Sequence, residues 1–330
     1  MITPPYLINK TILITGGTGS FGSAFAKFLL AFPTVKKVII FSRDELKQSE
    51  LAERIRDKRL RFFLGDVRDE ARLRRAFFGV DIIVHAAALK QVPTLEYNPF
   101  EAVKTNILGS ENVINAAIDA GVEKVLLIST DKAVEPVNLY GSTKQVAEKL
   151  FVAGNFYSAG RTRFAAVRYG NVLGSRGSIV ERLRDPRSAG EVGVTDERMT
   201  RFFLSLPESF KLVLYALSSM QGGEIFLPKR IPSMKITDLV RILAPKARVK
   251  IIGRRPGEKL HEALLTSEEA RRTMDMGEYL VVLPDQSGFE GKRAKYKKGT
   301  PLPEDYSLRS DESDFHLTEQ GLKALLRTQA

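Results

Sequence analysis

The chain has 330 residues, 43% of them hydrophobic and 27% charged, and 51 Lys and Arg against 39 Asp and Glu give a net charge of +12. That is the composition of a folded protein of about two domains. Cysteine is absent, which excludes a disulfide framework, a thiolate zinc or iron–sulfur site and a thiol nucleophile. His85, His261 and His316 lie far apart and form no HExxH, so no metal site is expected. No apolar run reaches the roughly 18 residues that span a bilayer. Met1-Ile-Thr-Pro-Pro-Tyr-Leu7 has no charged stretch followed by an apolar one, so it is not read as a signal peptide. A cytoplasmic protein with no membrane partner is expected. The positive charge is spread along the chain and reads as a solvated surface. With no aromatic-rich basic module, no nucleic-acid partner is expected.

Residues 11–170 alternate between two patterns. The runs Thr11–Thr15, Lys37–Phe41, Arg61–Leu64, Asp81–Val84 and Lys124–Ile128 predict strands buried on both faces. Between them, Phe21, Ala24, Phe25, Phe28 and Leu29 fall on one helical face, as do Val103, Ile107, Ile114, Ala117 and Ile118. Strand–helix–strand repetition with short links gives an α/β fold: a Rossmann-type, doubly wound parallel sheet. Residues 1–170 are read as the dinucleotide-binding domain. Residues 171–330 are read as a smaller mixed α/β substrate lobe, some of whose elements return to the sheet. In that lobe 170–177 and 184–193 read as loops, and 204–219 and 236–244 as short mixed elements. The stretch 285–306 reads as a long surface loop or strap, and 318–326 as a closing helix.

Thr15-Gly-Gly-Thr-Gly-Ser-Phe-Gly22 lies where the first strand meets the first helix. Its glycines at 16, 19 and 22 suit a tight turn, a close approach of backbone to a pyrophosphate, and close helix–strand packing. Without a ligand the same glycines would make only a tight turn, but the strand–turn–helix setting favours a nucleotide. The second strand ends in Phe41-Ser-Arg-Asp-Glu45. Ser42, Arg43 and Lys47 suit a ribose 2′-phosphate, and a guanidinium binds phosphate bidentately. NADP is therefore favoured over NAD, with Asp44 as the alternative ribose ligand for NAD. Asp66 and Val67, after the third strand, are placed to meet the adenine.

Tyr140 and Lys144 are spaced i,i+4 and so share a helical face. An ammonium beside a phenol lowers its pKa from about 10, and the tyrosine can then take a proton from an alcohol while hydride leaves. Just before them, Ser129-Thr-Asp-Lys132 closes the fifth strand. Simple alcohol oxidation needs only a hydroxyl there. The added acid and amine, Asp131 and Lys132, are either a surface ion pair or a second acid/base set for elimination.

These strings together resemble the short, soluble UDP-N-acetylglucosamine 4,6-dehydratases of the C5-inverting type, within the extended short-chain dehydrogenases/reductases. The resemblance also rests on His85-Ala-Ala-Ala-Leu-Lys-Gln-Val-Pro93, Lys104-Thr-Asn106, Arg168-Tyr-Gly-Asn-Val-Leu-Gly-Ser-Arg-Gly177, Met199-Thr-Arg-Phe202, Pro232-Ser-Met-Lys235 and Arg255-Pro-Gly-Glu-Lys-Leu-His-Glu262. It runs over nearly the full length and is least clear in the last 50 or so residues. It implies bound NADP held by Gly16, Thr18, Gly19, Ser20, Phe21, Gly22, Ser42, Arg43, Lys47, Asp66, Val67, Ala86, Ala87, Ala88, Lys90, Tyr140 and Lys144. Tyr140 would start oxidation at C4 with Thr130 on the C4 oxygen, and Asp131 and Lys132 would be acid and base for loss of water across C5 and C6. Hydride returned to C6 would give the L-arabino 4-keto-6-deoxy sugar, for capsule, flagellar-glycan or pseudaminic acid pathways. UDP-N-acetylglucosamine would meet Lys90, Asn171, Arg176, Arg201, Lys235, Arg255 and Glu258. Arg254 stays open as the alternative to Arg255. His85 is expected to support its strand end, and a homo-oligomer is expected. The rivals are a nucleotide-sugar 4-epimerase, which needs no Asp-Lys pair, and a non-catalytic NADP-binding regulator.

Overall fold

The computed structural model describes residues 2–184, 190–285, 294–313 and 315–327. Strands β1 (Thr11–Thr15), β2 (Lys37–Ser42), β3 (Leu60–Leu64), β4 (Ile82–His85), β5 (Lys124–Ile128) and β6 (Arg163–Val167) form a parallel sheet in the order β3-β2-β1-β4-β5-β6. Every residue of β1 and β4 is buried, which is why those runs are continuous rather than alternating. The crossovers are helices α1 (Ser20–Leu30), α2 (Glu45–Arg54), α3 (Glu70–Phe77), α4 (Val92–Tyr97), α5 (Pro99–Ala102), α6 (Gly109–Asp119) and α7 (Leu139–Tyr157). The strand order reverses between β1 and β4, so a crevice opens at the carboxyl ends of the central strands.

The helical face expected through Val103 and Ile107 assumed uninterrupted 3.6-residue turns. A π-helical turn, Val103–Leu108, joins α5 to α6, and its wider pitch buries Thr105 and Asn106 instead. The Asn106 side chain accepts from the Leu89 amide (2.8 Å), and donates to the Leu89 carbonyl (2.9 Å) and to Thr143 Oγ1 (3.0 Å). It therefore fastens the loop after β4 to α7.

Beyond residue 170 come β7 (Asn171–Val172), α8 (Ile179–Arg184), β8 (Glu191–Val194), β9 (Thr200–Leu204), α9 (Leu206–Ser219), β10 (Ile225–Pro228), β11 (Ser233–Lys235), α10 (Ile236–Leu243), β12 (Arg248–Ile251), β13 (Ala263–Leu265), α11 (Ser267–Ala270), β14 (Thr273–Asp275), β15 (Tyr279–Val282), β16 (Thr300–Pro301), β17 (Leu308–Arg309) and α12 (Glu319–Arg327). The large sheet continues with β10, parallel to β6, and then with antiparallel β15, β14 and β16. A second small core of Leu173, Val180, Met199, Phe203, Met234, Leu239 and Leu322 joins α8, β9, β11, α10 and α12. The loop expected at 170–177 contains β7. The mixed element at 204–219 is a 14-residue helix with a Ser205/Glu208 capping box. Of the stretch read as a surface loop, 286–293 lies outside the described residues. The part that follows is bolted down: Tyr296 is buried, and its single O–H is shared between the Ser219 carbonyl (3.0 Å) and Glu224 Oε1 (2.9 Å). An aromatic ring with two acceptors for its hydroxyl is buried at little cost, which a composition rich in Gly, Pro and Lys does not reveal.

Candidate active site

A cavity of about 720 Å³ runs across the carboxyl ends of β1, β2, β4 and β5 and under the second lobe. At one end is the glycine loop. Gly16 has φ +65°, and a methyl group there would lie 2.8 Å from Ala87 Cα. Only glycine allows that approach, and it brings Ala86, Ala87 and Ala88 to the cavity wall. Helix α1 starts at Gly19 with no side-chain cap and no acidic residue in its first turn. Its first amides are therefore available to an anion, and the loop fits a dinucleotide pyrophosphate. Gly16, Thr18, Gly19, Ser20, Phe21 and Gly22 all line the cavity.

Ser42, Arg43, Lys47, Asp66 and Val67 line the next stretch. The Asp44 carboxylate caps α2 through the Lys47 amide (3.0 Å) and pairs with the Lys47 ammonium. Asp44 also lines the cavity and keeps acceptor positions for further donors, while part of the Lys47 charge is taken up by the pair. Arg43 stays 56% exposed and lies 3.7 Å from Asp66, which Arg68 holds at 2.7 Å. Arg176 was expected at the substrate. It sits on the glycine loop: its guanidinium donates to the Thr18 carbonyl (2.7 Å) and its amide to Ser20 Oγ (3.0 Å). Gln48, not singled out from the sequence, is buried and fixes Ser42 through the Ser42 carbonyl and Oγ, each at 3.0 Å.

The other end of the cavity is chemical. Thr130 lies two residues past the end of β5 and caps a short turn, Asp131–Ala133. Thr130 Oγ1 donates to Asp131 Oδ1 (2.9 Å), and Lys132 Nζ donates to the same oxygen (3.0 Å). Asn138 caps α7 by accepting from the Gly141 amide (2.8 Å), and its side-chain amide donates to the Gly257 carbonyl (2.8 Å). Thr130, Lys132 and Tyr140 line the cavity. Asp131 and Lys144 lie behind them, both buried.

Burial pushes the Tyr140 phenol up to about 12; Lys132 and Thr130 pull against it and Asp131 adds to it. The expected role of Lys144 in lowering the phenol is not what the structure shows. Burial lowers the Lys144 ammonium to about 8, with Glu148, one turn further along α7, opposing the fall. The Lys144 charge acts on His85, whose imidazole burial lowers to about 3, with Lys144 adding to the effect. That ring is a neutral strut between Thr15 Oγ1 (2.7 Å) and Ser110 Oγ (3.2 Å).

Sequence reading missed Glu262. It is 2% exposed, and its Oε1 lies 3.2 Å from Lys132 Nζ and 3.6 Å from Arg201 Nε. Burial raises the Asp131 carboxyl, and Glu262 adds to that while Lys132 opposes it. Burial works against the charges on Glu262 and Lys132 too, but the first is held down by Lys132, Arg201 and Lys259, and the second is held up by Asp131 and Glu262. Only spatial neighbourhood reveals this cluster, because β13 and the turn after β5 are far apart in sequence.

Of the expected substrate ligands, Lys90, Asn171, Arg201, Arg255 and Glu258 line the cavity. Arg255, not Arg254, faces it; Arg254 lines a separate open groove beside His261. The Arg201 guanidinium already donates to the carbonyls of Thr200, Lys259 and Leu260. Lys235 is exposed outside the cavity lining, at the junction of β11 and α10. Among the described residues no His, Asp and Glu cluster could hold a metal ion, and no helix is long and apolar enough to cross a membrane.

A doubly wound sheet with a glycine loop at one end of a cavity and Thr130, Tyr140 and Lys144 at the other defines an enzyme of the extended short-chain dehydrogenase/reductase class. The chain belongs to the family described as "Polysaccharide biosynthesis protein", whose profile matches residues 12–284. It is 48% identical over 326 residues to a protein of Campylobacter jejuni named UDP-N-acetylglucosamine 4,6-dehydratase (inverting), covering 96% of this chain and 97% of the relative. It is 41% identical to a Rickettsia akari protein named UDP-glucose 4-epimerase, over 97% and 96% of the two chains. The crystal structure of Pen from Bacillus thuringiensis superposes with a TM-score of 0.89 at 34% identity, over 98% of both chains.

Proposed function

We propose that this chain is a UDP-N-acetylglucosamine 4,6-dehydratase that uses NADP and inverts C5. The observation that carries the reading is the cluster at the tip of β5: Lys132 and Tyr140 line one cavity, and Asp131, hydrogen-bonded to Lys132, lies directly behind. An epimerase needs only a residue that takes and returns the C4 hydroxyl proton. A buried carboxyl and ammonium are costly to keep, and elimination gives them work.

When bound, the nicotinamide would take hydride from C4 and return it to C6, and the enolate so formed would take a solvent-derived proton on the opposite face of C5. Its pyrophosphate would lie on Gly16, Gly19 and the start of α1, and its 2′-phosphate on Ser42 and Arg43, with Arg176 across the loop. Tyr140, hydrogen-bonded to the C4 hydroxyl, accepts its proton, and Thr130 and Lys132 favour the phenolate that does so. The 4-ketone makes the C5 proton acidic. Once Lys132 Nζ has passed one proton to the Asp131 carboxylate, Lys132 as free amine takes the C5 proton, and Asp131 as carboxylic acid protonates the leaving 6-hydroxyl. Arg255, beside Glu258 at the lobe wall, would meet the diphosphate.

The test is incubation of the purified protein with UDP-N-acetylglucosamine, read by mass spectrometry and by NMR in heavy water. Loss of one water, with deuterium and inverted configuration at C5, is expected. An unchanged mass with inversion at C4 would overturn the reading in favour of epimerisation. Lys132→Ala is expected to abolish water loss while NADP still binds, and normal turnover in that variant would remove Lys132 as the base.

A further inference from the structure

The proposed chemistry leaves one buried acid without a task. Glu262 precedes β13, and its backbone is clamped on both sides by Ser310: the Glu262 amide donates to Ser310 Oγ (2.9 Å), and the Ser310 amide donates to the Glu262 carbonyl (2.8 Å). The side chain therefore reaches the turn after β5 from a fixed base. Its Oε1 is 3.2 Å from Lys132 Nζ. Its Oε2 is 3.7 Å from Lys259 Nζ and, among the described residues, has no hydrogen-bond partner. Arg201 is committed to three backbone carbonyls, and Lys259 donates to the Val134 carbonyl. Lys132 is thus the ammonium that Glu262 holds most closely.

Three acceptors surround Lys132 Nζ: Asp131 Oδ1 at 3.0 Å, Glu262 Oε1 at 3.2 Å and Asn171 Oδ1 at 3.5 Å. A free amine has two N–H bonds and one lone pair. With the Asp131 proton on Oδ2, which has no partner among the described residues, the N–H bonds go to Glu262 and Asn171, and the lone pair is left for the cavity.

We propose that Glu262 is the positioning residue of the elimination step, holding Lys132 Nζ with its lone pair toward C5 and stabilising the ammonium formed when it takes the C5 proton. The inference rests on the dehydratase reading. The step balances within the pair. The C5–H bond breaks, an N–H bond forms on Lys132, and the electron pair becomes the enolate of the 4-ketone. That pair then forms the C5–C6 double bond as C6–O breaks and Asp131 gives its proton to the departing oxygen, releasing water. Transfer of one proton from Lys132 Nζ to the Asp131 carboxylate restores amine and acid. Glu262 stays a carboxylate throughout, playing the part for a lysine base that a buried carboxylate plays for a histidine base.

The test is Glu262→Gln, which keeps an acceptor oxygen but removes the charge. Activity needs one proton shared between Lys132 and Asp131, so it rises with pH as the pair loses its second proton. A carboxylate within 4–6 Å raises the pKa of that loss by about 1–3 units, so its removal moves the rising limb of kcat to lower pH by that amount. Asp131, Tyr140, Lys90, Arg201 and Lys259 also face this cluster and are left unchanged. In a single turnover the reduced cofactor still forms in the variant, so oxidation at C4 is spared while C5 deuterium exchange slows. A merely structural role would slow both halves together and leave the limb in place, and that result overturns the proposal. Should Glu262→Gln fail to fold, Glu262→Asp keeps the charge but falls short of Nζ. Water loss is then expected to slow about 100-fold with C4 oxidation intact, and wild-type water loss in that variant overturns the proposal equally. Wild-type protein that never dehydrates the sugar defeats the functional reading instead.

Discussion

The two ends of the cavity use the same residue types under opposite conditions. At the end beside the tip of β2, Arg43, Arg68 and Asp66 meet at the surface, and Lys47 pairs with Asp44 at a helix start. Such pairs are worth about 0–1 kcal/mol each and weaken with salt. At the chemical end, Asp131, Lys132 and Glu262 are packed under the second lobe, and behind them Arg168 lies between Glu148 and Glu269, at 2.7 and 2.8 Å. Here the charges set proton affinities and fix geometry. Exposed charges select a ligand at little structural cost, whereas buried ones cannot be altered singly without leaving a partner stranded.

The sharpest way to break that contrast is Arg168→Met. Arg168 is 3% exposed and ties α7 to α11, while Ser129 Oγ donates to Glu148 from the tip of β5. Removing the cation leaves the buried Glu148 carboxylate without its charged partner and the half-buried Glu269 with only Arg272 at 4.0 Å, and should cost about 3–5 kcal/mol of stability in urea unfolding at neutral pH. A cost below about 1 kcal/mol, the exposed-pair range, would show that water reaches the network and that the two ends do not differ. Next in size is Gly141→Ala. A methyl group there would sit 2.1 Å from the Lys132 carbonyl oxygen. The first turn of α7 would have to move away from the turn carrying Asp131 and Lys132, taking Tyr140 with it. A shift of about 1 Å costs about 100-fold in kcat, near 2.7 kcal/mol. NADP binding at the far end should be spared, and equal loss of both would show that the ends are not independent.

How legible each end was follows from the same contrast. The parallel strands, the glycine loop and the first helix rest on local pattern, and they form where the runs place them. Ser42, Arg43 and Asp66 are strand tips, so their neighbourhood follows from strand order alone. The chemical end is assembled from afar: Glu262 precedes β13, Asn138 reaches Gly257 across the lobe, and Asn106 is turned inward by a π-helical turn that no 3.6-residue period anticipates. The i,i+4 spacing correctly put Tyr140 and Lys144 on one helix. It could not show that Lys144 lies deeper, beside His85 and Glu148, or that Lys132 is the ammonium acting on the phenol. Arg176 and Arg201 were legible as cations of the cavity wall, but not as side chains already donating to backbone carbonyls.

The smallest expected effect falls at the exposed end, where single changes are tolerated. Arg43→Asp should leave the melting temperature within a degree or two, because its ion pair with Asp66 is 3.7 Å long and half in solvent. It should nonetheless change which cofactor is held. A charge-assisted hydrogen bond to a phosphate is worth about 1.5–3 kcal/mol, and exposure here argues for the lower figure, so NADP affinity should fall about tenfold. NAD should be affected less, since it carries no 2′-phosphate for Arg43 to hold and the new carboxylate can accept from the ribose hydroxyls. Titration of the purified protein with each cofactor at two salt concentrations measures this: if the proposed NADP reading holds, the ratio of NADP to NAD affinity in the unaltered protein should shrink as salt rises. An unchanged ratio of the two dissociation constants in Arg43→Asp would place the phosphate on Arg176. That guanidinium bridges the glycine loop and the second lobe, so cofactor choice would then belong to the lobe as much as to the tip of β2.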